Sequence, residues 1–477
     1  MSTRFRGLLV ENSKMSSLKS SINTGADPVP NSSVPSILWP ALSNVNESLT
    51  LAILGQLLTT QWWSPEMILR RQLRQLTELV SYTAQTVPFY KESLAEFARP
   101  KRPLTVDDWR RLPILRRRDI QESSPSMVTR RPFKEHGAAA DIRTSGSTGE
   151  PVVVKRNAVT GRILSALTIR DHLWHRRVVS GKLAYIRRLS GETEVAAKQG
   201  KSMPWIEGFP SGPMLFRDIN EPLDETLEWL MREEPDYLMT YPTYLRALIQ
   251  RSAEIGIQPS QLREVLTVGE ALDPEVREAC NDIWRAPISD VYSAQEVGVI
   301  AIQCPEHEHY LVQAEGIFCE VIDDGGAPCG PGEVGRVVVT PLHNFSMPLI
   351  RYDIGDYAEV GKRSPDGRGL PVLNRILGRA RNMLLLPEGR KTWPAFGSRG
   401  MAAIAPIRQH QIVQKSTAAL EARLVTERPL TPDEEERLAR HITSRIPAPM
   451  SVAFTYLDEI PRSAGGKFED FKTEIDL

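Results

Sequence analysis

A chain of 477 residues with 59 basic and 59 acidic side chains has no formal net charge, which argues against the basic surplus of a nucleic-acid-binding protein. Its four cysteines, Cys280, Cys304, Cys319 and Cys329, are too few to brace a chain of this length as a disulfide framework. The length suffices for two or more domains with large cores, no signal-peptide pattern is visible, and the best apolar run, 49–58, is too short for a bilayer, so a soluble cytoplasmic protein is expected.

Residues 1–35 are rich in Ser, Asn and Pro without periodicity, and a poorly ordered lead-in is expected there. From Ser48 the pattern is helical, with Leu51, Leu54, Leu57 and Leu58 on one face. A second helix is predicted over 65–86, where Leu69, Leu73, Leu76 and Leu79 recur at three- and four-residue steps before Val87-Pro88-Phe89-Tyr90 ends it. The Trp62-Trp63 pair reads as packing. Residues 103–120 read as a linker and short helix, and the Arg- and Lys-dense stretch 110–134 as a solvated face.

The chain's most informative stretch is Thr144-Ser145-Gly146-Ser147-Thr148-Gly149-Glu150-Pro151, followed by an apolar run and Lys155. Glycines let a backbone turn sharply and approach a ligand. Consecutive N–H groups in such a turn form an anion-binding concavity, hydroxyls add donors, and a lysine supplies a point charge. A polyphosphate grip is the reading these residues favour. It is not a Walker loop, because the G-x-x-x-x-G-K-[ST] order is absent. A Ser/Gly linker would have the same composition but would not need the apolar strand and lysine that follow.

Beyond Lys155, helices alternate with short apolar strands. Residues 242–254 read as a helix, 265–268 as a buried strand, Asp273-Pro274-Glu275 as a capped helix start and 288–292 as the next strand. That alternation predicts a parallel sheet covered on both faces, with ligands at the carboxyl ends of its strands. Two such ends carry polar groups: Gly269-Glu270-Ala271, and Tyr292-Ser293-Ala294-Gln295-Glu296. A carboxylate such as Glu296 is the ligand type that Mg²⁺ takes beside substrate phosphates. Cys304-Pro305-Glu306-His307 has the spacing of half a zinc site, which Cys319 and Cys329 would complete, although Cys319 also alternates with apolar residues as a buried thiol would.

Glycine pairs punctuate 316–360 as β-hairpins. Arg351-Tyr352-Asp353-Ile354-Gly355-Asp356 and Leu377-Gly378-Arg379-Ala380-Arg381-Asn382-Met383 follow. Thr431-Pro432-Asp433-Glu434 is a capping box, continued by Leu438, Ile442 and Ile446. The chain closes on a strand at 452–457 and on Ile460-Pro461-Arg462-Ser463-Ala464-Gly465-Gly466-Lys467-Phe468, where glycines before a single lysine suit a delivery loop.

T-S-G-S-T-G-x-P with Lys155 resembles the phosphate-binding signature of the adenylate-forming superfamily of acyl-CoA synthetases, luciferases and peptide-synthetase adenylation domains. The arginine before it and the later stretches are most similar to the phenylacetate–CoA ligase branch. The motifs lie in the family's order over 143–468, and a less specific likeness extends back to about residue 65. The resemblance implies an α/β fold: a large N-terminal domain (36–378) with parallel sheets covered by helices plus a β-rich subdomain, and a small mobile C-terminal α+β domain (379–477). It implies ATP and Mg²⁺ as cofactors, a carboxylic acid as substrate and coenzyme A as co-substrate, with no nucleic acid and no membrane span.

By the same resemblance, Thr144 to Gly149 and Lys155 would hold phosphates, and Gly269, Glu270 and Ala271 would line the adenine pocket. Tyr292, with Ser293 where glycine is usual, would stack on the base, and Glu296 would hold Mg²⁺. Asp356 would take the ribose hydroxyls, Arg379 would contact ribose or phosphate, and Lys467 would be the catalytic lysine. Tyr241 and Tyr244 would border the acyl pocket. Arg381 stands at the hinge, where the family usually has Asp or Lys. The next loop, 387–394, departs from the family's glycine-rich form that admits the pantetheine thiol. An amide- or ester-forming ligase and a non-catalytic scaffold of the same fold therefore stay open beside the acid–thiol ligase.

Overall fold

The computed structural model describes residues 32–37, 39–144, 151–206, 209–463 and 465–475, so most of the lead-in and Ser145 to Gly149 lie outside the described residues. The helix Val45–Thr60 starts on the Asn44 side chain, which accepts from Glu47 N. Ser64 caps the helix Pro65–Thr86 in the same way, with Pro65 in the first turn where its missing N–H costs nothing. Leu76, Leu79 and Val80 are fully buried on that helix. Each such side chain contributes about 1.5–3 kcal/mol of burial.

Twelve of the large domain's described strands form one sheet, while Ala139–Arg143 and Val153–Asn157 pair separately as a two-stranded ribbon. One half runs parallel through Ile288–Ala294, Glu264–Val268, Tyr237–Thr240, Leu183–Arg187 and Pro213–Asp218. The other half is antiparallel, through Gly298–Gln303, Tyr310–Val312, Val372–Arg379, Tyr352–Val360, Val334–Pro341 and Ile317–Ile322. The expected β-rich segment is thus hydrogen-bonded onto the parallel sheet. Ile288–Ala294 is the seam, parallel to one neighbour and antiparallel to the other.

The helix Ala158–Trp174 lies close over this seam because Gly298 has no side chain. A Cβ there would come 2.5 Å from Leu164 Cδ2, and its φ of +89° also favours glycine.

The C-terminal segment has its own four-stranded sheet, in the order Ser451–Tyr456, Ala419–Thr426, Ile407–Ser416, Phe471–Thr473. The helix Pro432–Thr443 begins with the full capping box of Thr431 and Glu434 and buries Leu438 and Ile442 in that segment's core. Between the two sheets, the chain turns through a short 3₁₀ helix, Ala380–Asn382.

Candidate active site

Polar side chains gather at the carboxyl ends of the parallel strands and on the hairpins across the seam. Tyr292, near the end of the seam strand, donates its hydroxyl to Asp356 Oδ2 at 2.9 Å. Antiparallel pairing sets Asp356 opposite Arg379, whose Nε lies 3.5 Å from Oδ1. Burial pushes the Asp356 carboxyl up, while Arg379, the Tyr292 hydroxyl and the Lys467 amine pull it down. The result is a carboxylate whose two oxygens can take adjacent hydroxyl groups of a ligand. Ser293 follows Tyr292 across a register irregularity in the same strand.

A second carboxylate, Glu296, is 6 % exposed. Arg117 Nη1 at 3.4 Å and the Tyr352 hydroxyl at 3.3 Å both reach its Oε1. Arg117 Nη2 also donates to the Thr144 hydroxyl at 3.2 Å, tying the first residue of the Ser/Gly stretch to the carboxylate. Thr144 in turn accepts from Val152 N at 2.9 Å and so clamps the two ends of that stretch together. Arg117 was not singled out in the sequence, because it sits in a basic run that reads as a solvated face. Lys155 stands on the strand Val153–Asn157 and pairs at the surface with Asp141 at 2.6 Å.

The third group comes from the C-terminal segment. Ser463 and Lys467 close a tight loop: Ser463 N donates to Lys467 O at 2.8 Å, and Lys467 N donates to the Ser463 hydroxyl at 3.1 Å. Gly466, at φ +80°, lets this loop pass against Ile219 and Arg188. The loop docks on the large domain. Phe468 N donates to Glu270 Oε1 at 2.8 Å, Thr243 N donates to Glu270 Oε2 at 3.0 Å, and the Tyr241 hydroxyl donates to Gly465 O at 3.1 Å. Lys467 Cε lies 3.4 Å from where a Cβ on Gly269 would stand.

Burial first, and then Arg379, hold the Lys467 ammonium below its usual value, with Asp356 and Glu270 acting against them. Glu270 thus acts through its side chain, as a latch between domains, and burial raises its carboxyl. Ala271 lies beside Gly378 on the facing hairpin.

Tyr241 is buried beneath this loop, whereas Tyr244 points into the core, its hydroxyl on Thr226 at 3.3 Å and Arg462 over its ring. Arg381 pairs with Glu469 just past the lysine loop.

The zinc set does not assemble. Cys304 packs with Ile68, Trp174 and Leu311 and reaches Asp366, while Cys319 and Cys329 pack against a different core. Among the described residues no group of three or more His, Cys, Asp or Glu is placed to hold a metal. His307 stacks on His309 instead of joining the thiols. These cysteines serve as small apolar side chains, and burial pushes the Cys319 thiol up to about 12.

The ends of the strands thus present Asp356 and Glu296, and a lysine loop from the C-terminal segment closes over them. The chain belongs to the AMP-binding enzyme family, whose model matches residues 71–346, more than half of the chain. The CapK C-terminal domain model matches residues 386–474. The chain is 26% identical to the phenylacetate-coenzyme A ligase of Thermus thermophilus, over 84% of this chain and 96% of that protein.

Its fold is that of 2-hydroxyisobutyryl-CoA ligase in the postadenylation state with an acyl-AMP bound. The TM-score is 0.68 at 18% identity, covering 85% of this chain and 89% of that one. The same ligase with 2-HIB-AMP and CoA in its thioesterification state gives 0.56 at 19% identity, covering 85% and 90%. No helix among the described residues is long and apolar enough to cross a membrane.

Proposed function

We propose that this protein activates a carboxylic acid with ATP, forming an acyl-adenylate and releasing pyrophosphate, and then transfers the acyl group to the thiol of coenzyme A. The observation that carries the reading is the Lys467 loop seated on Gly269 and Glu270, its amine electrostatically coupled to Asp356. Asp356 orients the nucleotide by accepting from its ribose hydroxyls, with Tyr292 fixing the carboxylate from the other side.

The Lys467 cation is then positioned to meet the acid's carboxylate and the α-phosphate together. As the carboxylate oxygen attacks phosphorus and pyrophosphate departs, negative charge on the phosphoryl oxygens rises, and a preplaced cation stabilises it. Burial makes that cation count for more than it would in water. Thr144, held by Arg117, sets the mouth of the phosphate stretch.

Glu296 fits Mg²⁺ by donor type: it is a buried carboxylate next to the Thr144 anchor, and when bound the ion would neutralise phosphate charge there. For the second step, the small domain turns about the 379–381 segment and withdraws Lys467, opening the adenylate to a thiol. A need for ATP and coenzyme A supports a cytoplasmic location.

The test is ATP-dependent pyrophosphate release against aryl, aliphatic and dicarboxylic acids, with hydroxylamine trapping adenylates and products compared with and without coenzyme A. Release with one acid class, and a thioester only when coenzyme A is present, is expected. Release that yields no thioester would move the acceptor to an amine or hydroxyl.

A further inference from the structure

One half-buried cation takes no part in those steps. Arg187 ends the strand Leu183–Arg187 and extends between two rings, 5.7 Å from the centroid of Tyr185 and 4.9 Å from that of Tyr241. Its Nη2 donates to the Tyr241 hydroxyl at 3.2 Å, and its Nε is buried without an acceptor. An orphan Nε alone is not distinctive here. Arg170, Arg336 and Arg368 also leave a buried Nε without a hydrogen bond. Each of those, however, pairs a carboxylate through Nη: Glu315, Asp353 and Asp366 respectively. Arg187 has no carboxylate partner among the described residues. A guanidinium drawn partly out of water, its Nε fully buried and no anion beside it, is costly, so its place in the fold calls for an anion from outside the chain.

Its location says which ligand supplies that anion. Arg187, Tyr241 and Gly269 stand at the carboxyl ends of three neighbouring parallel strands. Ligands bind at that edge of such a sheet. Lys467 lies over Gly269, at one end of the row, and Arg187 ends the other. Two strand spacings put their anchor points about 10 Å apart or less. Arg187 is close enough to Lys467 to repel its ammonium.

We propose that Arg187 is the specificity residue of the acid pocket, and that the acid activated here carries a second anionic group, which pairs with the Arg187 guanidinium while the reacting carboxylate meets Lys467. The proposal rests on the acid-activating reading above and deepens it. A planar guanidinium recognises a carboxylate through two parallel N–H donors, and its remaining donors match that geometry. A neutral acid would cover those donors and leave them unpaired, which is a basis for rejection. Tyr241 contributes by holding the guanidinium through its hydroxyl and ring face.

Matched acids test this: adipate against hexanoate, and homophthalate against phenylacetate, in the pyrophosphate-release assay. The wild type is expected to favour the acid with the second carboxylate in at least one pair by at least about tenfold in kcat/KM. Arg187→Met is expected to reverse or erase that preference, with the KM for ATP unchanged, and Arg187→Lys to keep part of it. If Arg187→Met fails to fold, as judged by its melting transition, Arg187→Gln supplies the same ratio.

A wild type that prefers the neutral acid in both pairs overturns the inference and leaves the acid-activating function standing. So does an Arg187→Met variant that lowers both members of a pair equally and raises the KM for ATP, because Arg187 would then serve the shared phosphate or reacting carboxylate. No release with any acid of either set would overturn the functional reading itself, and this inference with it.

Discussion

At the residue scale, the reading turns on a few ionisable groups whose environments differ. Lys467→Ala is expected to lower pyrophosphate release by roughly a hundredfold or more while ATP still binds. Equal release in that variant, with ATP binding measured by calorimetry, would remove the lysine from the chemistry. If Asp356 is the acceptor for the ribose as proposed, Asp356→Ala should instead weaken ATP itself, and an unchanged ATP titration would count against that role.

Asp290 offers a separate, purely structural check. Burial pushes its carboxyl up to about 6, against hydrogen bonds from Thr267 and Tyr310. The folded state therefore holds this proton more tightly than the unfolded chain. Its stabilising contribution is complete below about 4 and is lost as pH rises through about 6. His172, His343 and His410, each lowered by burial to about 4, act in the opposite sense, losing stability as pH falls. Asp290→Asn should remove the first component only. The difference between wild-type and variant urea midpoints should then change between pH 4 and 6 and stay flat above 7.

Lys467, Asp356 and Glu296 were legible in the sequence because each closes a motif with a fixed order. Arg117 and Arg187 were not. A lone arginine in a basic run or at a strand end carries no mark of whether its guanidinium meets water or a buried site.

At the scale of elements, the sequence marks local boundaries well and lateral order poorly. Pro65–Thr86, the Asp273-Pro274 helix start and the Thr431 capping box are all written in short-range chemistry: a hydroxyl or carboxylate cap, a proline in the first turn, an apolar face. The joining of the hairpins to the parallel sheet depends on pairings between residues far apart, such as Tyr310 with Leu373, which no local signal encodes. The cysteines misled for a related reason. Their spacing suits zinc, but spacing along the chain does not say that Cys304 enters one core and Cys319 another.

Gly298 shows how one residue sets the fit between two elements. Gly298→Ala would drive a Cβ toward Leu164 and strain a φ of +89°. A loss of about 1–3 kcal/mol in unfolding free energy is expected. Adding Leu164→Ala should recover the part due to crowding but not the part due to the backbone. A double-mutant cycle with no coupling would refute the contact.

At the scale of the whole molecule, the activation chemistry depends on how firmly the small domain holds the large one. The clasp includes Phe468 on Glu270, Arg462 on Thr243, and Arg246 on Asp470 at 2.7 Å. The last is a half-buried ion pair in which burial opposes, and Arg246 favours, the Asp470 carboxylate. Removing Arg246 takes away the nearest counter-charge of the Asp470 carboxylate in the docked arrangement. That penalty applies only while the domains are docked this way, so it shifts the balance toward the arrangement in which Lys467 is withdrawn.

Arg246→Met should therefore slow pyrophosphate release, roughly tenfold or more, and leave unchanged or speed the conversion of a supplied acyl-adenylate and coenzyme A to thioester. The two half-reactions are measured separately, with synthetic adenylate for the second. An equal loss in both would mean that the variant has damaged the large domain itself, and that the clasp does not select between steps. A loss in the first step alone would identify the Arg246–Asp470 pair as part of what holds Lys467 at the reacting atoms.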